Sequence, residues 1–216
     1  RERATEICRR MGELYPGVKS ALTFANPFEL VICVLLSAQT TDAGVNRVTP
    51  ELFARWPDAQ SMATADPEEV GEVIHSIGFW RAKSKHCVET AQMIVFDFGG
   101  EVPGTMEELC RLPGVGRKTA NIVLNKAFSV VDGIAVDTHV FRLATRFGLT
   151  RATTPAAAEK DLLDVIPREL WCNVNEEWIH FGRDVCTARS PKCAGCPMAD
   201  ICPSAGQPDR YIKRRK

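Results

Sequence analysis

The chain has 216 residues, 45% of them hydrophobic and 25% charged, and its formal net charge at pH 7 is zero. A chain of this length and composition forms one large or two small globular domains with cores of their own. No apolar run approaches the ~18 residues that a membrane span requires, so a membrane protein is excluded. The zero net charge argues against a nucleic-acid partner, unless basic and acidic residues are segregated along the chain.

Helix start and stop signals recur along the chain, whereas strand alternation is scarce, and this pattern predicts an all-α fold. N-cap residues stand at Asp66 and Thr154, each before a proline, and Thr105 with Glu108 makes a capping-box pattern. Segment 130–136 is apolar and β-branched, which allows a short extended piece without changing the class. Glycine and proline stops divide the chain into roughly ten short helices. These stops lie at Pro16-Gly17, Gly78, Gly99-Gly100, Pro113-Gly114, Gly148 and Pro167.

Basic and acidic residues are indeed segregated. The stretch Arg111–Lys126 holds four basic residues and no acidic one, and residues 81–85 form a second basic stretch without acids. Acidic residues concentrate instead over residues 51–72. The zero net charge can therefore conceal a basic face that meets phosphates. The basic residues 210–216 predict a solvated, partly disordered C-terminal end, or a nonspecific phosphate contact.

A glycine-rich hairpin follows one short helix and opens an apolar one over residues 112–120. Gly114 and Gly116 allow a tight turn and expose backbone N–H groups at a helix start, which makes an anion site suited to phosphate. A nucleotide P-loop is disfavoured, because Arg117 stands where that motif requires glycine and no strand precedes it. The hairpin thus predicts a contact with a phosphate backbone.

Lys118 lies in the first turn of the helix after the hairpin. The positive end of the helix dipole and the neighbouring Arg117 disfavour its ammonium form, and a neutral amine can form a Schiff base at a carbonyl-like carbon. A phosphate contact without chemistry explains the spacing equally well. Asp137 stands between an apolar segment and another helix, where an N-cap is the commonest explanation of an aspartate.

Four of the nine cysteines crowd the C-terminal end with the spacing C-x6-C-x2-C-x5-C, from Cys186 through Cys193 and Cys196 to Cys202. This spacing contains only one C-x2-C pair, whereas zinc knuckles use two, so it favours an iron–sulfur cluster over zinc, with disulfides least favoured. Neighbouring basic residues predict that the loop faces a DNA backbone. These residues include Arg189 and Lys192. The remaining cysteines are expected to be buried free thiols: Cys8, Cys33, Cys87, Cys110 and Cys172.

The cysteine usage also bears on localisation. Clustered cysteines that bind metal suit a reducing compartment. No signal-like apolar segment opens the sequence at Arg1, so we expect a cytoplasmic protein, although a leader removed upstream of Arg1 would leave no trace.

Four motifs occur together in one order: Leu35–Asp42, the hairpin segment Leu112–Asn125, Val136–His139 and the four-cysteine loop. Over nearly the whole chain they resemble the endonuclease III family of helix-hairpin-helix DNA glycosylase/AP lyases. The resemblance implies two helical domains with DNA in the cleft between them. Residues 20–130 would form a central domain with the hairpin, and residues 1–19 plus 131–216 a domain with a [4Fe-4S] cluster held by the four cysteines.

The resemblance also implies a bacterial-type monomer that acts on double-stranded DNA containing damaged bases or abasic sites. On the family's pattern, Lys118 attacks C1′ of a flipped-out nucleotide and Asp137 assists as proton acceptor and electrostatic partner. An oxidised pyrimidine leaves, and the Schiff base permits β-elimination, which nicks the strand 3′ of the abasic site.

Side chains must fill the gap that a flipped nucleotide leaves in the stack. Gln39 matches the family's gap-filling glutamine, and His139 matches a histidine near the pocket. Phe79 stands where the family often has a leucine wedge, a departure that bears on lesion preference. Without the resemblance, Gln39 would be a helix-end polar residue and Phe79 a core residue. The residues expected to contact DNA are Gln39, Phe79, Gly114, Gly116, Arg117, His139, Arg189 and Lys192.

Two other functions compete with this one. The related adenine-mispair glycosylase lacks a lysine at the position of Lys118 and has a glutamate where this chain has Val34, so both differences favour the lyase. A noncatalytic DNA-binding module could use the hairpin and the cluster to hold phosphates without chemistry.

Overall fold

The computed structural model describes residues 1–207, and every regular element in them is helical, which confirms the all-α prediction. Segment 130–136 forms neither helix nor strand. The basic residues 210–216 lie outside the described part of the chain. Contacts divide the chain into two compact units, which are Ser20–Asp132 and the combination of Arg1–Lys19 with the chain from Gly133 onward. None of the helices in residues 1–207 has the length and apolarity needed to cross a membrane.

The unit Ser20–Asp132 is built around one apolar helix. Its helices are α2 (Pro27–Leu36), α3 (Asp42–Arg55), α4 (Ala59–Ala63), α5 (Pro67–Ile74), α6 (Trp80–Phe98), α7 (Met106–Leu109) and α8 (Arg117–Phe128). In α2, every residue from Leu30 to Leu36 is buried, as expected for a helix that is apolar on all sides. It packs against α3, α6 and α8. The end of α2 and the start of α8 are thereby placed in the same core.

The second unit joins the two ends of the chain. Its helices are α1 (Glu2–Leu14), α9 (Thr138–Arg146), α10 (Pro155–Val165) and α11 (Trp171–Asp184), with short 3-10 turns at Arg168–Leu170 and Cys193–Gly195. Phe147 and Trp178 meet edge to face at 5.7 Å in its core. Arg10 of α1 binds both carboxylate oxygens of Asp200 at 2.7 and 2.9 Å. The N-terminal helix therefore supports the region of the cysteine loop.

The predicted helix starts are confirmed. Asp66 accepts from the backbone N–H of Glu68 at 2.8 Å, and Thr154 accepts from Ala157 N at 3.3 Å. Thr105 caps α7 through Glu108 N at 3.3 Å. A capping box predicts that the Glu108 side chain accepts from the backbone N–H of Thr105. In the structure, the Glu108 carboxylate accepts from the Thr105 hydroxyl instead, at 2.7 Å.

Candidate functional site

The glycine hairpin lies on α6. Gly114 has φ 76°, a left-handed conformation that favours glycine. A Cβ there would lie 3.0 Å from Nδ1 of His86, so the turn also needs glycine for close approach. The hydroxyl of Thr90 donates to Pro113 O at 2.9 Å. His86 and Thr90, two side chains of α6, thus fix the position of the turn.

Beyond the turn, α8 begins with an open N-terminus. Its N-cap is Gly116, which offers no side chain to the first backbone N–H groups, and its first turn contains no acid. A Cβ on Gly116 would meet nothing within 4 Å. Arg117 and Lys118 are the first two helical residues, and both are exposed. Uncapped N–H groups, a helix dipole and exposed basic residues together form an anion-binding surface.

Gln39 and Phe79 are both exposed, and both have a left-handed backbone, with φ of 53° and 59°. Phe79 is 65% exposed, so the interpretation of Phe79 as a core residue is wrong. It stands at the N-cap of α6, where the chain turns out of the preceding segment. In one and the same unit, the structure thus combines the hairpin, Lys118 and the two expected gap-filling residues.

Asp137 is the N-cap of α9. Its Oδ1 accepts from the backbone N–H groups of His139 and Val140, each at 2.8 Å. Its Oδ2 lies 3.0 Å from Nδ1 of His139. The Asp137 side chain is only 15% exposed. Three contacts therefore hold this carboxylate in one orientation. His139, which we expect to contact DNA, makes two of them.

Two arginines on the same face of α9 reach the cysteine loop. Arg142 Nε donates to Cys186 O at 3.2 Å, and its Nη2 donates to Gly182 O at 2.9 Å. Burial and the neighbouring Arg146 lower the pKa of Arg142. Arg146 is 1% exposed and donates to three loop carbonyls, which belong to Cys186, Thr187 and Ala188 at 3.3, 2.7 and 3.0 Å. Asp137 thus caps one end of α9, and Arg146 at the other end of the helix bonds to the cysteine loop.

The four clustered cysteines line a cavity with about 330 Å³ of space between atoms, part of it open to solvent. No group of three or more His, Cys, Asp or Glu side chains in residues 1–207 is arranged to hold a metal ion. Thiolates that share one zinc ion meet at a point, whereas thiolates that bind a four-iron cluster surround a volume. The cavity therefore fits the cluster better than zinc.

The charge around this cavity also fits a cluster. Burial raises the pKa of the Cys196 and Cys202 thiols, so thiolates there require a positive partner. Nη1 of Arg146 lies 3.3 Å from Sγ of Cys186, and no acidic side chain in residues 1–207 pairs with Arg146. Its Nε is buried without a hydrogen-bond partner among those residues. A buried cation beside four thiols suits a group that is anionic overall.

The remaining predicted residues fall on the surface or in the cores. Arg189 and Lys192 are exposed on the cysteine loop, as a DNA contact requires. Cys8, Cys33 and Cys87 are buried free thiols, as predicted. The expected burial is wrong for Cys110, which is exposed, and for Cys172, which is partly exposed. Both lie at helix ends, where the chain faces solvent on more sides than in a helix centre.

Sequence reasoning missed Lys83 and Arg146. Lys83 belongs to the basic stretch 81–85, yet it is only 5% exposed, so this stretch is not a continuous basic surface. One sequence feature could have indicated a shared role for Arg146 and Arg142: they are four residues apart and therefore lie on the same face of the helix. Nothing local distinguishes Lys83 from a surface lysine.

Comparison with known proteins places these features in one context. Residues 32–168 match the HhH-GPD superfamily base excision DNA repair protein model, and residues 186–202 match the iron-sulfur binding domain of endonuclease III. Endonuclease III of Synechocystis sp. is 50% identical over 205 residues, which cover 95% of this chain and 94% of that protein. Endonuclease III of Bacillus subtilis is 44% identical over 213 residues, which cover 97% of each chain.

Two solved structures are similar over the full fold. One is a trapped endonuclease III–DNA covalent intermediate, with a TM-score of 0.89 at 40% identity over 96% of this chain and 99% of that one. The other is a noncovalent endonuclease III–DNA complex, with a TM-score of 0.90 at 39% identity over 100% and 98% of the two chains.

Proposed function

The chain belongs to the endonuclease III family of the HhH-GPD superfamily of base excision DNA repair proteins, and from this membership we propose that it excises oxidised pyrimidines from duplex DNA through Lys118. Family membership makes it a DNA-binding glycosylase with AP lyase activity that carries a [4Fe-4S] cluster. The lesion class, the residues that act and the monomeric, cytoplasmic state are our proposal. All the curated relatives named above are bacterial, which supports the last point.

The observation that carries the proposal is the exposed Lys118 amine in the first turn of α8, beside uncapped backbone N–H groups. A DNA phosphate bound by the backbone N–H groups at the start of α8 would bring the sugar of one nucleotide to this amine. The anchor is independent of sequence, because it recognises only the backbone. Specificity for damage then depends on which base can be flipped out.

The chemistry breaks the N-glycosidic bond, then the C1′–O4′ bond of the sugar ring, and last the C3′–O bond to the 3′ phosphate. Neutral Lys118 Nζ bonds to C1′ of the flipped nucleotide, and the base leaves with the electrons of the N-glycosidic bond and takes up a proton. Ring opening gives a Schiff base, which makes the C2′ proton acidic. A base takes that proton, the electrons of the C2′–H bond form a C2′=C3′ double bond, and the 3′ phosphate leaves with the electrons of the C3′–O bond, so the strand is nicked 3′ of the abasic site.

Asp137 supplies the proton acceptor and a negative charge. Its carboxylate is held by two backbone N–H groups and by His139, so it needs little reorganisation when positive charge develops on the sugar. It takes the proton that the Lys118 amine loses on attack. Gln39 and Phe79 occupy the gap in the stack and prevent the extruded nucleotide from returning.

Cys186, Cys193, Cys196 and Cys202 would hold the cluster, with Arg146 as a neighbouring positive charge. Bound there, the cluster supplies four iron–thiolate bonds that fix the loop. The exposed Arg189 and Lys192 of the fixed loop then contact DNA phosphates.

Borohydride reduction tests the proposal, because it converts a Schiff base to a stable bond. Wild-type protein should become covalently linked to duplex DNA that carries an abasic site, and Lys118→Ala should not. Lys160→Ala, which removes an exposed lysine of α10, should link like wild type. Anisotropy should show that Lys118→Ala still binds the DNA. Wild-type protein that binds but never links would instead be a noncatalytic DNA-binding module.

A further inference from the structure

Gln39 and Phe79 share an unusual backbone. In residues 1–207 only three non-glycine residues have a positive φ, and these are Gln39, Phe79 and Ser129. A left-handed conformation is unfavourable for such a residue, so surrounding contacts must impose it. Both expected gap-filling residues are thus held in place against their intrinsic preference.

The two strained segments lie side by side. A Cβ on Gly78, directly before Phe79, would be 3.7 Å from the backbone oxygen of Gln39. Gly78 belongs to the segment that leads into α6, and Gln39 to the segment between α2 and α3. The two exposed side chains therefore issue from adjacent backbone.

Lys83 ties the two segments together. Its backbone N–H donates to Phe79 O at 3.1 Å in the first turn of α6. Its side chain runs to the other segment, where Nζ donates to Leu36 O at 2.8 Å and to the hydroxyl of Thr40 at 2.7 Å. Leu36 and Thr40 flank Gln39 on either side. The Lys83 side chain thus joins the first turn of α6, at whose N-cap Phe79 stands, to both flanks of Gln39.

Stability of the fold does not explain why this residue is charged. Lys83 is 5% exposed, and no acidic side chain in residues 1–207 pairs with it. The negative end of the α2 dipole at Leu36 offsets part of the cost of burial. Well-packed apolar residues are often as stable as buried charges or more so. A lysine suits this site because its amino group donates to two acceptors at once, which methionine cannot do.

We propose that Lys83 is a positioning residue, which holds Gln39 and Phe79 as one unit so that both can enter the DNA stack when the damaged nucleotide leaves it. This inference rests on the proposed function. It assigns Lys83 to the flipping step and not to the chemistry of Lys118. The effect of removing Lys83 should therefore depend on how firmly the target base is stacked and paired.

Lys83→Met tests this inference with two duplexes that carry the same oxidised pyrimidine. In the first, the lesion lies opposite its normal partner, and single-turnover base release should slow by roughly tenfold, which is less than the ~100-fold that a misplacement of about 1 Å can cost, because Lys83 acts only through Gln39 and Phe79. In the second, the lesion lies opposite an abasic-site analogue, where extrusion costs less, and the loss should be at most about twofold. A 2-aminopurine beside the lesion should report slower unstacking in the first duplex only.

Two controls separate positioning from general damage. Lys160→Met makes the same substitution at an exposed position of α10 and should match wild type on both duplexes. The thermal unfolding midpoint of Lys83→Met should stay within about 4 °C of wild type. Thr40→Val removes one acceptor of the ammonium, keeps the side-chain shape, and should reproduce the selective loss at smaller size. Thr40→Val decides the question if Lys83→Met does not fold.

The possible outcomes are distinct. Wild-type protein that releases the base from neither duplex would contradict the proposed function itself. Active wild-type protein together with a Lys83→Met variant equal to Lys160→Met would overturn the positioning role. Equal losses on the two duplexes would also overturn it, because a role in fold or chemistry does not depend on pairing of the target base.

Discussion

At the scale of single residues, Asp137 shows that a structural and a catalytic interpretation need not exclude each other. It caps α9 through Oδ1, as a residue in this sequence position commonly does. The hydrogen bonds that cap the helix also fix the orientation of the carboxylate, and its Oδ2 faces His139. A capping aspartate is therefore already oriented to stabilise positive charge on the sugar. That role requires the negative charge of the carboxylate, whereas capping does not.

Asp137→Asn should separate the two roles. Asparagine caps helices as well as aspartate does, so the free energy of unfolding should change by less than about 0.5 kcal/mol. DNA affinity should persist, but base release should slow by roughly 100-fold or more, because the proton acceptor is lost. Urea unfolding, anisotropy and single-turnover kinetics measure these three quantities.

Asp137→Ala is the matched variant, because it removes the cap as well and should cost about 1 kcal/mol of stability in addition. An asparagine variant with undiminished turnover would contradict the role proposed for the carboxylate.

At the scale of helices, the contact between α9 and α11 connects the Asp137 region to the cysteine loop. Gly182 of α11 lies directly against side chains of α9. A Cβ there would lie 2.8 Å from Nη2 of Arg142 and 3.1 Å from Cδ2 of His139. A glycine inside a helix is usually unfavourable, but here it lets the side chains that support Asp137 and the loop pack against α11.

Gly182→Ala should therefore destabilise the protein by about 1–3 kcal/mol through overpacking, despite the better helix propensity of alanine. Gly12 of α1 provides the control. A Cβ at Gly12 would meet only Oε1 of Glu177, at an ordinary distance of 3.5 Å. Gly12→Ala should leave stability unchanged or raise it by up to about 1 kcal/mol. Urea unfolding of both variants checks the contrast, and equal effects at the two positions would refute it.

At the scale of the whole molecule, α1 and the described chain from Gly133 onward belong to one unit, whose last described part contains the cysteine loop. The loop has little regular structure, and its carbonyls are held by Arg142 and Arg146. Arg10 of α1 also supports the loop, since it donates to Pro197 O at 2.9 Å and binds Asp200, and Met198 of the loop is buried in the core of the unit. Such a loop depends on its bound group for order.

Cys196→Ser should release iron, lower the thermal unfolding midpoint and weaken DNA binding, because Arg189 and Lys192 lose their fixed positions. Iron analysis of wild-type protein should give about four iron atoms per chain. Cys110→Ser, which changes an exposed cysteine outside the loop, should keep its iron. Stoichiometric zinc in place of iron in the wild-type protein would contradict the cluster.

The sequence by itself determined the helix starts at Asp66, Thr105 and Thr154, the glycine hairpin and the spacing of the four cysteines. These features depend on residues within one or two turns of each other, so local physical chemistry suffices to recognise them. The family resemblance added roles for particular side chains, of which Lys118 and Asp137 remain to be tested.

Only the tertiary structure decided which charges are buried and which apolar side chains are exposed. Lys83 lies in a basic stretch, but its acceptors are 47 and 43 positions away in the chain. Arg146 meets its loop carbonyls 40 to 42 positions away. Phe79 extends into solvent, although an isolated aromatic residue beside a helix start is usually expected in the core. Burial depends on which segments pack together, and no local pattern specifies that.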